Sequence, residues 1–248
     1  RPRLILFAKA PVIGGAKSRL AAGIGQVPAW RIYRAMLSAL TRRLRDARWD
    51  LVLAVTPDRA VRRRFPGAWP EDLARVAQGG GDLGERQARV FSSPARGGGE
   101  PRSGGRGVGR SAPFRPSLRC GHLPRKRGRT RPARVLPPLK GRAGVGGAPT
   151  VVIGADAPQI TRADIAAAFK ALKRHDAVIG PAEDGGYWLL GLNAPAPAEV
   201  FQGVRWSHEA TLSDLESRMR ALGLTRIAHL RTLRDVDEAW DLKAGKPH

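Results

Sequence analysis

The stretch "PTVVIGADAPQITRADIAAAFKALKRHDAVIG" at residues 149–180 decides the fold. It begins with an apolar strand and a turn at 149–158, and it ends with a second apolar strand at 177–180. Between them a helical pattern follows Thr161, and Asp164 three residues later is close to the pattern of a capping box. A strand, a helix and a strand in this order are typical of a parallel βαβ unit.

The same alternation extends along most of the chain. The other predicted strands are 3–8, 50–56, 74–78 (weaker), 187–192 and 226–230. The other predicted helices are 28–47, 79–91, 207–223 and 235–245, and a glycine loop opens the one at 79–91. This order predicts an α/β fold with a mostly parallel central sheet covered on both faces. Ligands of such sheets bind at the carboxyl ends of the strands, where the loops 9–19, 79–82, 154–158 and 181–186 are expected.

Length and composition set further bounds. At 248 residues with 42% apolar residues, the chain suits one domain with a core of its own. Its single cysteine excludes an internal disulfide and favours a reducing compartment. The sequence has no apolar run near the roughly 20 residues of a membrane span, and its first apolar run is too short for a signal peptide. A cytoplasmic protein is therefore predicted.

One segment, at about 92–148, interrupts this single domain. It has 14 of the Lys and Arg residues against one acid, Glu100, and so it accounts for about half of the net charge of +23. A structureless stretch of this length is unusual inside a domain. Three interpretations stay open: a disordered basic insertion, a product of a shifted reading frame, or a basic arm for nucleic acid or acidic partners. Its one aromatic residue, Phe114, argues against single-strand binding.

The loop after the first strand, in "FAKAPVIGGAKSRLA" (7–21), combines cations with glycines. Lys9, Lys17 and Arg19 supply positive charge, and the glycine pair ending at Gly15 lets backbone amides approach a ligand. Polyphosphates are bound by this combination of charge and N–H donors. A solvated basic loop is the alternative, but the position after a strand favours phosphate binding.

Two acidic motifs follow later strands. Asp156 in "GADAPQIT" comes after an apolar strand, and Glu183 and Asp184 in "GPAEDGGYWLLGL" precede one. Two carboxylates could hold Mg²⁺ or Mn²⁺, and an acid there could instead act as a general base. The structural alternatives are backbone capping by Asp156 and a solvated turn at 183–184. The five histidines, including His208, show no metal-ligand spacing and are not candidates.

Taken together, five motifs resemble those of a known family. They occur in family order: "FAKAPVIGGAKSRLA", "GGGDLGERQARVF", "VVIGADAPQIT", "GPAEDGGYWLLGL" and "LRDVDEAWDL". They are similar to the DUF2064 or arsenosugar-biosynthesis-type glycosyltransferase family, which looks like a branch of the nucleotide-diphospho-sugar transferase superfamily. The resemblance covers 3–91 and 149–243. The chain departs from it at 92–148 and, mildly, in the glycine turn of the first motif.

The resemblance implies a Rossmann-like GT-A three-layer sandwich that binds a nucleotide with a divalent cation, Mg²⁺ or Mn²⁺. The residues it implies are Ala8, Lys9, Gly15, Lys17, Arg19, Gly81 and Asp82 for the nucleotide, Asp156 and Asp184 for the metal, Asp184 and Glu183 for catalysis, and Tyr187, Trp188 and Trp206 for the acceptor side.

The activity expected from these residues and the resemblance is a metal-dependent glycosyl transfer. The donor is a nucleotide-diphospho-sugar and the acceptor a small molecule. A nucleotidyltransferase that releases pyrophosphate from NTP is the nearest alternative. From other classes, the alternatives are a damaged, inactive copy and a nucleic-acid-binding protein that acts through the segment at 92–148.

Overall fold

The structure is a computed structural model, and it describes residues 1–92, 148–193 and 196–234. These residues all belong to one compact unit of the chain. Nearly all of the predicted insertion at 92–148 and the predicted helix at 235–245 lie outside the described residues, so both stay predictions. No helix in the described part of the chain is long and apolar enough to cross a membrane.

Seven strands and five α-helices alternate along the described residues. The strands are β1 (Arg3–Lys9), β2 (Asp50–Thr56), β3 (Ala74–Ala77), β4 (Pro149–Gly154), β5 (Ala177–Pro181), β6 (Tyr187–Asn193) and β7 (Ile227–His229). The helices are α1 (Ser18–Ile24), α2 (Gln26–Arg43), α3 (Leu83–Ser92), α4 (Arg162–Ala171) and α5 (Thr211–Ala221), with 3-10 turns at Asp58–Ala60 and Ala198–Phe201.

The strands form one sheet in the order β3-β2-β1-β4-β6-β5-β7. All neighbours are parallel except β6, which runs antiparallel to both β4 and β5. The predicted α/β fold with a mostly parallel sheet is confirmed. Because β1, β3, β4 and β5 point the same way, the four loops expected at their carboxyl ends lie along one edge of the sheet.

Alternate residues of the central strands supply two separate cores. Leu4 and Leu6 of β1 are fully buried in the core on the face that packs α2 and α4. Ile5 points to the opposite face and joins the core that contains Phe91 of α3 and Leu215 of α5. Strands that are covered on both faces are apolar throughout. For this reason β1, β2 and β4 could be predicted from short apolar runs in the sequence.

The helix boundaries differ from prediction in several places; α2, for example, ends at Arg43 instead of residue 47. The structure adds α1 within what was predicted as loop, and Gly25, with a φ of 90°, separates it from α2. Helix α5 begins at Thr211 instead of residue 207, because Ser207 has a left-handed φ of 58° and cannot lie in a helix. The predicted capping box is present: the Thr161 hydroxyl accepts from the backbone of Asp164, whose carboxylate accepts from that of Thr161.

Candidate functional site

A cavity of about 750 Å³ opens at the carboxyl edge of the sheet. The ends of β1 and β4, the start of β6, the first turns of α1 and α3, and the segment 207–211 contribute to its wall. It brings together eight of the predicted site residues: Ala8, Lys9, Lys17, Arg19, Asp156, Asp184, Tyr187 and Trp188. Residues from three separate motifs of the sequence therefore face one volume.

An ion pair joins the first motif to the third, the one that contains Asp156. The ammonium of Lys17 lies 2.5 Å from Oδ1 of Asp156. Lys17 has a left-handed φ of 58° at the start of α1, and its side chain is only 2% exposed, whereas that of Asp156 is 50% exposed. Asp156 follows β4, the strand next to β1, so the sheet topology itself brings these two loops together. The buried ammonium of Lys17 therefore lies next to the carboxylate of Asp156, which faces the cavity.

The backbone of Lys9 is fixed by a tyrosine of α2. The Tyr33 hydroxyl accepts a hydrogen bond from the Lys9 amide and donates one to the Lys9 carbonyl, both at 2.9 Å. Burial of the Tyr33 ring and the nearby charge of Asp156 raise the pKa of this phenol well above its usual value, although the bond from Lys9 opposes the shift. Tyr33 therefore stays protonated and can donate.

The acidic pair divides between two environments. Asp184 lines the cavity, and its Oδ1 accepts from the backbone of Gly186 at 2.9 Å. Glu183 does not line the cavity: its side chain is 62% exposed and lies 3.9 Å from the guanidinium of Arg234. The catalytic role predicted for Asp184 is compatible with this placement, and the role predicted for Glu183 remains a prediction without geometric support.

The glycine loop before α3 satisfies its own polar groups. Asp82 accepts from the Glu85 amide at 2.8 Å, and Glu85 accepts in return from the Asp82 amide. The carbonyl of Gly81 accepts from Nε of Arg86 at 2.9 Å. Gly81 and Asp82 do not line the cavity, and neither does Gly15 of the first loop; Arg86 does. Their predicted nucleotide contacts remain predictions.

The three aromatic residues predicted on the acceptor side occupy different places. Tyr187 and Trp188 line the cavity, and the Trp188 indole donates to the carbonyl of Arg231 at 3.1 Å. Trp206 lies outside its lining and packs on α3, where a Cβ added to Gly84 would come within 2.6 Å of the indole ring. Trp206 therefore packs against α3 outside the cavity lining.

Several polar residues of the cavity wall were not predicted, among them Tyr33, Gln87 and His208. Gln87 had a sequence signal, because it lies on the apolar face of α3, three residues from Gly84 and Val90, where a polar side chain is unexpected. His208 had none. Its Nδ1 accepts from the amide of Ala210 at 3.0 Å, which leaves the proton of a neutral ring on Nε2.

The carboxylates fit a shared divalent cation better than a cation held by protein alone. Within 1–92, 148–193 and 196–234, three or more His, Cys, Asp or Glu residues do not come together as a metal-holding group. Asp156 and Asp184, however, each have one carboxylate oxygen with no partner among the described residues, and both face the cavity. One or two carboxylates, completed by water and substrate phosphates, are the usual ligands of Mg²⁺.

Comparisons with known proteins agree with this fold. A search of functionally curated proteins gives no match. A solved structure described as a "putative nucleotide-diphospho-sugar transferase" from Desulfovibrio desulfuricans G20 superposes with a TM-score of 0.71 at 23% sequence identity, over 98% of this chain and 85% of that one. This likeness establishes the fold of the chain.

Two further structures are more distant. The 4-diphosphocytidyl-2C-methyl-D-erythritol synthase of Anaerococcus prevotii DSM 20548 has a TM-score of 0.49 at 8% identity, over 98% of this chain and 96% of its own. The glucosyl-3-phosphoglycerate synthase of Mycobacterium tuberculosis, solved with Mn²⁺, UDP and glucosyl-3-phosphoglycerate, has a TM-score of 0.43 at 11% identity, over 98% and 75%. With TM-scores below 0.5, neither carries an argument about this chain.

The family comparison bears directly on the motifs. Residues 134–208 match the family DUF2064, described as an uncharacterized protein conserved in bacteria. This range includes the motifs that carry Asp156 and Asp184. The resemblance read from the motifs is confirmed over residues 134–208, which are similar to DUF2064, and the chain shares its fold with the structure from Desulfovibrio desulfuricans G20.

Proposed function

We propose that the chain is a metal-dependent glycosyltransferase that uses a nucleotide-diphospho-sugar donor. One observation carries the proposal: the ion pair of Lys17 with Asp156 lies in the same cavity as Lys9, Arg19 and Asp184. Transfer from an activated nucleotide needs positive charge for the phosphates and carboxylates for a cation. This cavity offers both at the edge of the sheet where α/β proteins bind ligands.

The basic residues are assigned to the diphosphate. Lys9 and Arg19 are exposed, and their flexible side chains can reach phosphate oxygens from the mouth of the cavity. Lys17 cannot move far, because its side chain is buried against Asp156. It would act from a fixed position, holding one positive charge beside the carboxylate and beside the phosphates that this carboxylate helps to bind.

The two acids of the cavity are assigned to the cation. Asp156 and Asp184 would hold Mg²⁺ or Mn²⁺ through their unbonded oxygens, with the donor phosphates as the remaining ligands. A bound cation of this kind neutralises charge that develops on a diphosphate leaving group. Asp184 is also the carboxylate beside the volume where an acceptor hydroxyl would lie, and it could take up the proton released there.

Calorimetric titration with UDP, GDP, CDP and GTP, each with and without Mn²⁺, tests the proposal. We expect metal-dependent binding of at least one nucleotide by the wild type, and a loss of at least about tenfold in Asp156→Ala, because a charge-assisted ligand contact is removed. The control is Glu71→Ala, which removes an exposed acid that is paired with Arg64 and does not line the cavity. It should bind as the wild type does.

Two results would contradict the proposal. The first is a folded wild-type protein that binds none of the nucleotides. The second is binding that is equal in the wild type and Asp156→Ala. If binding is found, the released product identifies the reaction: a glycosyltransferase releases a nucleoside diphosphate from a nucleotide sugar, and a nucleotidyltransferase releases pyrophosphate from NTP.

A further inference from the structure

Gln87 is a buried polar residue whose position is not explained by the fold. It lies on α3 and is 3% exposed. Its Oε1 accepts a hydrogen bond of 2.8 Å from the hydroxyl of Tyr187, the first residue of β6. This bond joins two elements 100 residues apart in sequence. It also fixes the orientation of the carboxamide, because Oε1 is committed to Tyr187.

The other end of the carboxamide opens on the cavity. Nε2 of Gln87 donates to none of the described residues, and it is not among the side-chain atoms sealed from solvent without a partner. Gln87 also lines the cavity. Polar side chains that converge on a cavity fix the orientation of ligands, and this oriented donor without a protein partner among the described residues is available to a ligand that enters the cavity.

The sheet indicates the side of the cavity on which this donor lies. Ile153 and Leu189 are the last pair of the antiparallel ladder between β4 and β6, and Tyr187 lies beyond this pair, at the edge of the sheet where Asp156 follows β4. Tyr187 packs with the core of α3 and α5, whereas Tyr33 behind Lys9 belongs to the core of α2 and α4. Gln87 therefore faces the cavity from the side of α3, whereas Tyr33 faces it from the side of α2.

We propose that Gln87 is a specificity-determining residue that binds a hydroxyl of the sugar attached to the diphosphate. Its Nε2 donates to the hydroxyl oxygen. The Tyr187 oxygen, which gives its own proton to Gln87, can accept from that hydroxyl or from its neighbour. A sugar hydroxyl both accepts and donates, and so it matches this neutral pair. The inference rests on the proposed function and adds the transferred group to it.

The experiment compares nucleotide sugars with the matching nucleoside diphosphates in wild type and Gln87→Met. The probes are UDP with UDP-glucose, UDP-galactose and UDP-N-acetylglucosamine, and GDP with GDP-mannose, titrated with Mn²⁺. Methionine keeps the length of the side chain and its burial but has no donor. We expect the affinity for the nucleoside diphosphate to stay within about twofold and that for the bound sugar nucleotide to fall about 5- to 20-fold, the effect of one lost hydrogen bond.

A second variant guards against a folding defect. Tyr187→Phe retains the packing of the ring but frees the carboxamide of Gln87, so it should cause a smaller loss for the sugar nucleotide alone. If Gln87→Met does not fold, as judged by its thermal transition, Tyr187→Phe decides the matter.

Each remaining outcome contradicts one of the two proposals separately. Equal weakening of both ligand types would assign Gln87 to the nucleoside. Unchanged affinities in both variants, or a wild type that binds no sugar nucleotide more tightly than its diphosphate, would overturn the sugar contact while the nucleotide site stands. A wild type that binds no nucleotide of any kind would contradict the proposed function itself.

Discussion

The ammonium nitrogen of Lys17 lies 2.5 Å from Oδ1 of Asp156, yet the two side chains of this ion pair differ sharply in solvent exposure. The lysine side chain is 2% exposed and the aspartate 50%. A buried ammonium needs a compensating charge, whereas a half-exposed carboxylate can be solvated by water. The fold is therefore more dependent on the carboxylate than on the cation, and the site has its charges arranged before any ligand binds.

This asymmetry predicts unequal effects of neutralising the two residues. Asp156→Asn should lower the free energy of unfolding by about 2–4 kcal/mol, because it removes a carboxylate charge 2.5 Å from a buried ammonium. Lys17→Met should cost less, about 1–2 kcal/mol, because the remaining carboxylate can hydrate. Urea unfolding of both variants without nucleotide measures the difference. The double variant should be less destabilised than the sum of the two, and additive effects would show that the residues do not interact.

The two tyrosines of the chain, Tyr33 and Tyr187, predict an unusual alkaline titration. Burial raises the pKa of both phenols, and the charge of Asp156 adds to the shift of Tyr33. In the native protein, the phenolate absorbance at 295 nm should therefore not rise near pH 10, where free tyrosine ionises. It should appear together with unfolding. A reversible titration near pH 10 in the folded protein would contradict this.

The same shifts predict how stability depends on pH. Above about pH 10 the unfolded chain loses phenolic protons that the native protein retains, so stability falls as pH rises, by up to about 1.4 kcal/mol per pH unit for each tyrosine. Tyr33→Phe should reduce this slope. At neutral pH the same variant should be about 1–3 kcal/mol less stable than wild type, because the amide and carbonyl of Lys9 lose their partner.

The contact of α3 with Trp206 can be tested by adding one methyl group. In Gly84→Ala the new Cβ would lie 2.6–2.8 Å from the indole ring, so either the ring or the helix must move. We expect a loss of about 1–3 kcal/mol despite the higher helix propensity of alanine. The matched control is Gly80→Ala, whose Cβ would meet no atom within 4 Å. Equal thermal midpoints for the two variants would refute the contact.

The start of α4 predicts a pH-dependent contribution from Asp164. Burial of this carboxyl acts to raise its pKa, but hydrogen bonds from Arg231 and Thr161 outweigh it, and the net shift is downward. A lowered pKa stabilises the fold above the unfolded pKa of about 3.9, and the stabilisation is lost as pH falls through the folded value. Asp164→Asn should therefore cost about 1–2 kcal/mol at pH 7. The deficit should shrink below about pH 4; one that is constant with pH would contradict a charge effect.

Local sequence was sufficient to predict the elements whose causes are local. Strand β2 was predicted at its observed bounds, because its apolar run is bounded by a charged residue and by Pro57. The N-cap of α4 was predicted because Thr161 and Asp164 satisfy each other within three residues. The start of α5 was not predicted. It depends on a turn in which the Thr211 hydroxyl donates hydrogen bonds to the carbonyls of Arg205 and His208, and no periodicity in the sequence reveals this turn.

For the candidate site, sequence predicted which loops meet but not where individual side chains point. Asp156 and Asp184 follow from their positions at strand ends. The separation of Glu183 from Asp184 does not, since it depends on Arg234, some 50 residues away. Gln87 was missed for the same reason: its partner Tyr187 is supplied by β6, which is antiparallel to both of its neighbours, and the strand pattern of β6 gave no direction.

The length of the turn that precedes β6 determines which residues of this strand face each of the two cores. Tyr187 packs toward α3 while Trp188 packs toward the opposite core, because consecutive residues of a strand face opposite ways. Removing a single residue from the turn at 182–186 would exchange these two faces. The phenol of Tyr187 would then face away from Gln87, and the indole of Trp188 would lie in its position. A relative that retains this cavity with a turn longer or shorter by one residue must therefore restore the register elsewhere in the strand.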